Sequence, residues 1–242
     1  MSSKLKIFLG ISYLAILLIF LYLIFSYVEI NRLNEFSYYK EIQFNLESLI
    51  GENIYLNLSL FFLFSIIWIT LLGFGSPLLI ISGILFGKWL GTIISVVSIS
   101  IGTLILYTIA GFFFSSLVQK ILGEKFSRYI NLFKRNEFYY FFIFRFMGGL
   151  GTPFFIQNIL PIIFRMKKSN YFFSSFLGFI PGFFIINTIG AGLNKYIKQA
   201  ENFNLISLIS TKEVYLPIIF FIAIIFTSAI IKKKIFDQSN SR

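Results

Sequence analysis

Residues 138–164 read FYYFFIFRFMGGLGTPFFIQNILPIIF and combine a lone charge with a broken apolar pattern. Arg145 follows seven uncharged residues and precedes nineteen more. A buried cation costs about 2.5–3.5 kcal/mol at a bilayer centre, and broken backbone at that depth needs protein or water around it. The stretch therefore predicts a polar site inside a membrane protein. The residues that interrupt the helical pattern are Gly148, Gly149, Gly151, Pro153 and Pro161.

Composition places the chain among polytopic membrane proteins. Of its 242 residues, 57% are hydrophobic, 20% are aromatic and only 13% are charged, whereas soluble domains are about half apolar and a quarter charged. The sequence contains no cysteine and no histidine. These absences exclude disulfides, thiol chemistry, Cys/His metal sites and histidine-based acid–base catalysis. We therefore expect neither an enzyme nor a bound metal or cofactor.

The net charge of +11 does not indicate a nucleic-acid-binding protein. The basic residues lie between apolar segments rather than along one soluble face. Such placement is typical of topology signals and of contact with anionic lipid headgroups. Membrane lipids with anionic or phosphate headgroups are thus the expected partners.

Apolar runs divide the chain into spans. The stretch from Leu78 to Phe86 is too short to cross and predicts a re-entrant half-helix. The polar stretch Glu29–Asn53 carries half of the acids, which favours the non-cytoplasmic side and an interfacial amphipathic helix. Five runs are long enough to cross: Ile7–Val28, Ile54–Leu72, Gly91–Phe114, Tyr171–Gly190 and Tyr215–Ile231.

A short segment bounded by glycine and proline, followed by a full span, occurs twice, at 73–114 and 138–190. Such a pairing is typical of inverted-repeat transporters. The fold prediction is an all-α polytopic membrane protein with about five to six transmembrane helices and two opposed re-entrant hairpins. The predicted hairpin-forming residues are Pro77, Gly83, Gly87, Pro153, Pro161, Gly178, Pro181 and Gly182.

The span count conflicts with the charges at the two ends of the chain. Five crossings place Lys232–Lys234 opposite Lys4 and Lys6, but the positive-inside rule favours both ends in the cytoplasm. Either one hairpin crosses or a span is missing from the count. GxxxG spacings at Gly87/Gly91 and Gly178/Gly182 permit helix association, so a homo-oligomer stays open.

Residues 73–192 resemble the VTT domain of the DedA superfamily, also called SNARE-associated Golgi proteins. Two sets of residues carry the resemblance, the second ending in Gly-x-x-Pro-Gly. The first set is Pro77, Ser82, Gly83, Phe86, Gly87, Gly91, Gly102, Tyr107 and Gly111, and the second is Arg145, Phe146, Pro153, Phe154, Asn158, Phe173, Phe176, Gly178, Pro181 and Gly182.

The resemblance implies two re-entrant hairpins that face each other and a role in moving phospholipid or polyprenyl-phosphate lipids across a bilayer. It implies a bacterial inner membrane location. Lys4 and Lys6 precede the apolar run Ile7–Val28, which predicts a retained anchor with its N-terminus in the cytoplasm. We expect an N-terminal region at 1–72, a VTT core at 73–192 and a C-terminal region at 193–242. No Asp or Glu occurs between Asn53 and Gln119, so the acids that family members often carry there have no counterpart.

Arg145 is the main candidate ligand for a lipid phosphate, because a guanidinium matches phosphate with a fork of donors. Gly148, Gly149 and Gly151 add backbone donors, and the Asn158 amide lines the path. The alternatives are structural: Arg145 satisfies hairpin carbonyls, and Asn158 satisfies freed backbone groups. A small-solute or ion transporter and a non-transport assembly protein remain alternative functions.

Overall fold

The computed structural model describes residues 3–26, 29–32, 34–122, 133–220, 222–223 and 226, and within these it contains helices and turns but no strand. The all-helical prediction is thus confirmed for the described part of the chain. The helices are α1 (Ser3–Ser26), α2 (Phe36–Glu52), α3 (Ile54–Leu72), α4 (Ser76–Leu122), α5 (Glu137–Phe146), α6 (Phe154–Ile159), α7 (Pro161–Phe164), α8 (Lys168–Gln199) and α9 (Leu205–Ile209). Residues 212–220 are also helical.

Three described helical stretches are long and apolar enough to cross a membrane. They are Ile54–Leu71, Ser76–Phe113 and Lys168–Gln199. Two further apolar helical stretches, Gly10–Leu23 and Phe154–Phe164, are shorter. The described helices therefore have the length and composition of an integral membrane protein.

The helix α4 is folded in two at Gly87. This residue has φ 72° and ψ −178°, a conformation essentially restricted to glycine. The hydroxyls of Ser82 and Ser95 lie 2.8 Å apart, although thirteen residues of straight helix would separate them by about 20 Å. Residues 76–86 therefore form a short arm that packs back along a long arm, residues 88–122.

A first hairpin consists of α3, the turn Gly73–Gly75 and the short arm of α4. Phe61 and Phe86 pack edge to face with their centroids 5.4 Å apart, so the two helices run antiparallel. The turn begins at Gly73, a left-handed residue that ends α3 and donates its N–H to Ile69 O. A short helical arm lies between the breakers at 73–77 and Gly87, and it returns towards the start of α3.

A second hairpin consists of α5, residues 147–153, α6 and α7. Its tip contains three glycines with positive φ, and Leu150 also lies in the left-handed region, with φ 53°. At the open end of this hairpin, Glu137 Oε1 accepts hydrogen bonds from Lys167 N and Asn170 Nδ2 at 3.1 and 2.7 Å. Residues 138–164 are thus broken at the glycines, as the sequence predicts.

The long arm of α4 and α8 form the antiparallel axis of the fold. At one end the rings of Tyr107 and Tyr171 stack with centroids 4.4 Å apart, and Tyr107 OH donates to Met166 O at 2.8 Å. At the other end a Cβ on Gly91 would come within 2.6 Å of Asn187 Oδ1. Small residues allow this close approach.

The two hairpins approach α8 from opposite ends, and their tips overlap near its middle. The second hairpin opens beside the first turn of α8, where Asn170 binds Glu137. The first hairpin opens towards the other end of α8, where a Cβ on Gly83 would lie 2.3 Å from Asn187 O. The tips meet where Asn158 Nδ2 donates to Gly73 O at 3.4 Å.

The remaining elements flank this core. Tyr13 OH donates to Leu71 O at 2.7 Å, and Phe20 packs on Trp68, so α1 runs antiparallel to α3. The amphipathic helix predicted within Glu29–Asn53 is α2, which lies beside the C-terminal end of α8, where Glu47 pairs with Lys198. Residues 123–132 and 227–242 lie outside the described residues, so the end of the last predicted run, Tyr215–Ile231, is not described.

Candidate functional site

The side chain of Arg145 lies between α5, α6 and α8 and is only 3% exposed. Its Nη1 donates to Gln157 Oε1 at 3.1 Å. Its Nη2 donates to Asn158 Oδ1 at 2.7 Å and to Tyr171 OH at 3.1 Å. Four aromatic rings surround the guanidinium, with Phe141 and Phe179 centroids each 4.8 Å from its central carbon.

The depth of Arg145 follows from its contact with α8. A Cβ on Gly178 would lie 2.5 Å from Arg145 Cβ, so the two backbones touch. Gly178 is ten residues beyond Lys168, the first residue of α8, which corresponds to about 15 Å. Since the hydrocarbon core of a bilayer is about 30 Å thick, this distance is about half of its thickness.

No carboxylate among the described residues pairs with Arg145. Its hydrogen-bond partners are all neutral, so the positive charge is solvated but not cancelled. Hydrogen bonds to a charged group contribute about 1.5–3 kcal/mol each, so three of them offset an insertion cost of about 2.5–3.5 kcal/mol. The Nε–H has no partner in the described part of the chain, so one buried donor of Arg145 is not hydrogen-bonded there.

Asn158 joins the tips of the two hairpins. It is fully buried, and its carbonyl oxygen accepts from Arg145 while its Nδ2 donates to Gly73 O. Tyr171 OH lies 3.4 Å from the backbone oxygen of Asn158. The amide therefore both solvates the cation and satisfies the backbone freed at the first hairpin turn.

Gln157 connects Arg145 to the glycine-rich tip. Its Nε2 donates to Thr152 O at 2.7 Å and to Gly148 O at 3.4 Å. A Cβ on Gly149 would come within 2.1 Å of the Gln157 carboxamide, so only glycine fits at this position. The tip at Gly148–Gly151 is thus held next to Arg145 through one side chain.

The structure brings Arg145, Asn158 and the tip glycines together in one cluster, and it distributes the other predicted residues more widely. Pro77 is the second residue of α4, Gly83 lies in its short arm, and Gly87 directly follows that arm. Pro153 precedes α6, and Pro161 is the first residue of α7, where the missing N–H costs nothing. These positions lie in or beside the two hairpins.

Gly178, Pro181 and Gly182 do not form a chain reversal. All three lie inside α8, which continues without interruption from Lys168 to Gln199. The prediction that these three residues form a hairpin therefore does not match the unbroken helix. Neighbouring elements satisfy and support the backbone around a proline inside such a helix, and Gly178 instead provides the space that Arg145 requires.

Tyr171 and two other buried polar residues lack a local sequence signal. Tyr171 lies 26 residues from Arg145, on another element, and only the parallel packing of α5 on α8 brings them together. Ser82 and Asn187 form a second buried polar contact at 2.5 Å, between the first hairpin and α8. The available signal for Ser82 and Asn187 was a polar residue within an apolar run, but many serines in the chain have such surroundings, so it does not single these two out.

Comparison with known protein families gives one match. The family model for the VTT domain matches residues 61–192, which is more than half of the chain. This range contains both hairpin tips, the Arg145 cluster and most of α8. Neither a curated protein nor a solved structure matches the chain significantly.

Proposed function

This chain belongs to the VTT-domain family of DedA and SNARE-associated Golgi proteins, and from this premise we propose that it moves phosphate-bearing lipids across a bilayer. Its described helices have the apolar lengths of an integral membrane protein of that family. The observation that carries the proposal is Arg145, a cation without a carboxylate partner at the overlap of two opposed hairpins. A buried charge could be replaced by an apolar side chain at little cost in stability, so its presence favours a functional role.

In the proposed mechanism, Arg145 stabilises the phosphate at the deepest point of its path. The oxygens of Gln157, Asn158 and Tyr171 now occupy one side of the guanidinium fork. Phosphate oxygens would replace one or more of them and would also use the Nε–H. The acyl chains would stay in the lipid, and no covalent bond would form or break.

The hairpins would shorten the polar path. In the proposed arrangement both hairpins are re-entrant and enter from opposite sides, so the headgroup crosses only where the tips overlap. The tip glycines 148, 149 and 151 would supply backbone donors beside Arg145. Asn158, which contacts both tips, would line this narrow part of the path.

We further propose that the N-terminal end of α8 faces the cytoplasm, in keeping with an inner (plasma) membrane. Five cations lie at that end, namely Lys134, Arg135, Arg165, Lys167 and Lys168, while α2 with its acids lies at the other. The direction of α1 places Lys4 and Lys6 on the same side as these cations. The positive-inside rule assigns such a side to the cytoplasm.

This orientation also resolves the conflict in the span count. In this arrangement α3 would not cross alone, because the short arm of α4 packs back along it towards the end where α3 began. The full crossings would then be α1, the long arm of α4, α8 and the last apolar segment. Since that segment begins beside Lys195 and Glu213 at the C-terminal end of α8, a crossing would return Lys232–Lys234 to the side of Lys4.

The test is lipid exchange in liposomes that contain the purified protein and phospholipids with a fluorescent headgroup. Arg145→Gln should abolish exchange above the rate of empty liposomes while the protein stays folded and monodisperse. Arg32→Gln is the matched control, since Arg32 lies in the exposed link before α2. Wild-type exchange by folded Arg145→Gln protein would refute the assigned role.

A second arm addresses the alternative of a solute or ion transporter. The same liposomes are given a proton or sodium gradient and are assayed for uptake without fluorescent lipid. Gradient-dependent flux in the absence of lipid exchange would replace the present proposal with that alternative. Arg145→Lys retains the charge without the planar fork, so reduced exchange in this variant supports direct phosphate recognition.

A further inference from the structure

A polar cavity of about 450 Å³ opens at the mouth of the second hairpin, and we call it the mouth cavity. It is distinct from the Arg145 cluster, none of whose residues line it. Its volume lies within the range of small-ligand pockets, about 300–1,000 Å³. The lining residues that matter here are Lys134, Arg135, Glu137, Arg165, Lys167 and Asn170.

The mouth cavity carries an excess of positive charge. Four of its residues are cations, and none of them forms an ion pair with an acid in the described part of the chain. Glu137 is the one acid in the lining, but it is only 8% exposed. Its Oε1 is already engaged by Lys167 N and by the Asn170 amide. Among the described residues, therefore, no acid neutralises these cations.

Two helix N-termini add to this potential. The helices α5 and α8 both begin at the mouth cavity, with Glu137 and Asn170 in their first turns. The N-terminus of a helix has a partial positive charge and free backbone donors. Glu137 offsets part of this effect for α5, whereas α8 has no acid in its first turn.

The backbone holds the cationic turn in a defined position. Arg165 is a non-glycine residue in the left-handed region, with φ 49° and ψ 46°. On one side its N–H bonds to Ile162 O, and on the other Met166 is buried, with its carbonyl bound by Tyr107 OH. Strained positions of this kind persist where the surrounding structure fixes them, and they are frequent at binding sites.

From this cavity we infer a second binding site, one for a phosphate-bearing anion at the membrane surface. The guanidinium groups of Arg135 and Arg165 suit bidentate contact with phosphate oxygens, and Lys134 and Lys167 add point charges. The phosphate belongs either to a lipid headgroup or to a soluble phosphate. Both sources share the chemistry that the cavity recognises.

The position of the cavity gives it a role in lipid movement, and this role rests on the proposed function. It lies at the level of the first turn of α8, and Arg145, on α5, lies beside Gly178, about 15 Å further along α8. A headgroup bound at the mouth would thus be one half-membrane away from the buried cation. Binding itself can be measured without any translocation, so the two proposals fail separately.

The experiment measures binding by isothermal titration calorimetry on the full-length protein in a neutral detergent. Three probes are used: inorganic phosphate, dioctanoyl phosphatidate and uncharged dioctanoylglycerol. We expect phosphatidate to bind and dioctanoylglycerol not to bind. Binding of inorganic phosphate with equal affinity assigns the site to soluble phosphate, and much weaker binding assigns it to a lipid headgroup. Absence of binding by both phosphate probes overturns the inference.

The variant Arg165→Asn/Lys167→Gln removes two charges from the cavity, and asparagine tolerates the left-handed conformation better than arginine. We expect phosphate-probe affinity to fall about tenfold or more. Lys40→Gln/Lys212→Gln removes the same charge at the opposite end and should change affinity less than about twofold. Equal losses in the two variants, or no loss in the first, contradict a built site.

Lys134→Gln/Arg135→Gln provides an independent pair if the first variant does not fold. Wild-type affinity in this variant would equally contradict the inference.

If the wild-type protein binds the phosphate probes in detergent but does not exchange lipid in liposomes, translocation is refuted and the mouth site stands. Intact exchange together with unaltered binding in both cavity variants would refute the mouth site and leave translocation standing.

Discussion

Asn158 Oδ1 lies 2.7 Å from Arg145 Nη2, and this contact joins the two helical arms of the second hairpin around a buried charge. The acceptor is a neutral amide, so the guanidinium keeps its charge. A carboxylate in the same place would form a tighter pair but would cancel the charge that a lipid phosphate needs. The choice of amide rather than acid at residue 158 is therefore the chemical basis of the proposed site.

Asn158→Asp separates a structural role for this contact from a functional one. The new carboxylate pairs with Arg145 but lacks the N–H that binds Gly73 O, so we expect the thermal stability in detergent to stay close to that of the wild type. Lipid exchange should fall about tenfold or more, because the pair no longer offers a charge to phosphate. Wild-type exchange in this variant would show that Arg145 serves only to hold the hairpin together.

Asn158→Ala is the companion variant for that experiment. It leaves Arg145 with one partner fewer in a buried environment, and we expect a loss of about 1.5–3 kcal/mol in the free energy of unfolding. Stability equal to that of the wild type would mean that water or a neighbouring group replaces the amide.

Gly87→Ala tests the reversal that folds α4 in two. Nothing lies within 4 Å of a Cβ at this position, so any cost comes from the backbone alone. With φ 72° and ψ −178°, we expect a loss of about 1–3 kcal/mol, measured by thermal unfolding in detergent. Gly111→Ala is the control, because it lies in a helix with open space and should be neutral or slightly stabilising. Equal stability of the two variants would contradict a glycine-dependent reversal.

The pair between Glu47 and Lys198 predicts a pH dependence at the C-terminal end of α8. Partial burial raises the pKa of Glu47, but hydrogen bonds from Lys198 and Asn194 outweigh it, so its pKa lies below the ordinary value of 4.5. The stabilisation is therefore complete above pH 4.5 and is lost as the pH falls through the lower folded pKa. Because the side chains are half exposed, its size is at most about 1 kcal/mol.

Thermal unfolding of wild-type and Glu47→Gln protein between pH 7 and pH 3 measures this contribution. The stability difference between them should be present at pH 7 and should shrink below pH 4.5. Glu201→Gln is the control, since Glu201 has no ion pair within the described residues. A difference that is constant with pH would exclude an ionic origin.

Single-cysteine labelling tests the orientation, and the natural chain helps because it contains no cysteine. A membrane-impermeant maleimide should label Asn202→Cys in intact cells and Lys168→Cys only after the membrane is opened. The two residues lie at opposite ends of α8, so the expected patterns are opposite. Labelling of both from the same side would remove Arg145 from the membrane interior.

The sequence predicted the main features of the candidate site and missed how its parts meet. Arg145 was identifiable because it is alone in an apolar run, and the glycines and prolines beside it predicted the break. Tyr171 and Gln157 could not be identified as partners of Arg145 in the same way. Tyr171 lies on a helix distant in sequence, and Gln157 resembles an ordinary helix residue. Their roles depend on packing between α5, α6 and α8.

Chain breakers provide a second example. Glycine and proline both disfavour a regular helix, so Gly87, Gly148–Gly151 and Pro181 all predict a break. The chain reverses at the first two, whereas α8 continues through Pro181. The local cost of a proline in a helix can be offset by tertiary packing, and the sequence does not show where such packing is present.

By itself, the sequence determined that this protein is an all-helical membrane protein of the VTT family, with a buried cation beside a broken segment. Composition and the spacing of charges and breakers are local properties, and they suffice for those conclusions. The tertiary structure alone decided which residues the short arm of α4 packs against, that the two hairpins overlap at Gly73 and Asn158, and that four cations line one cavity. The physical reason is that an apolar helix of given length has the same composition whether it crosses or folds back, and only its packing partners distinguish the two.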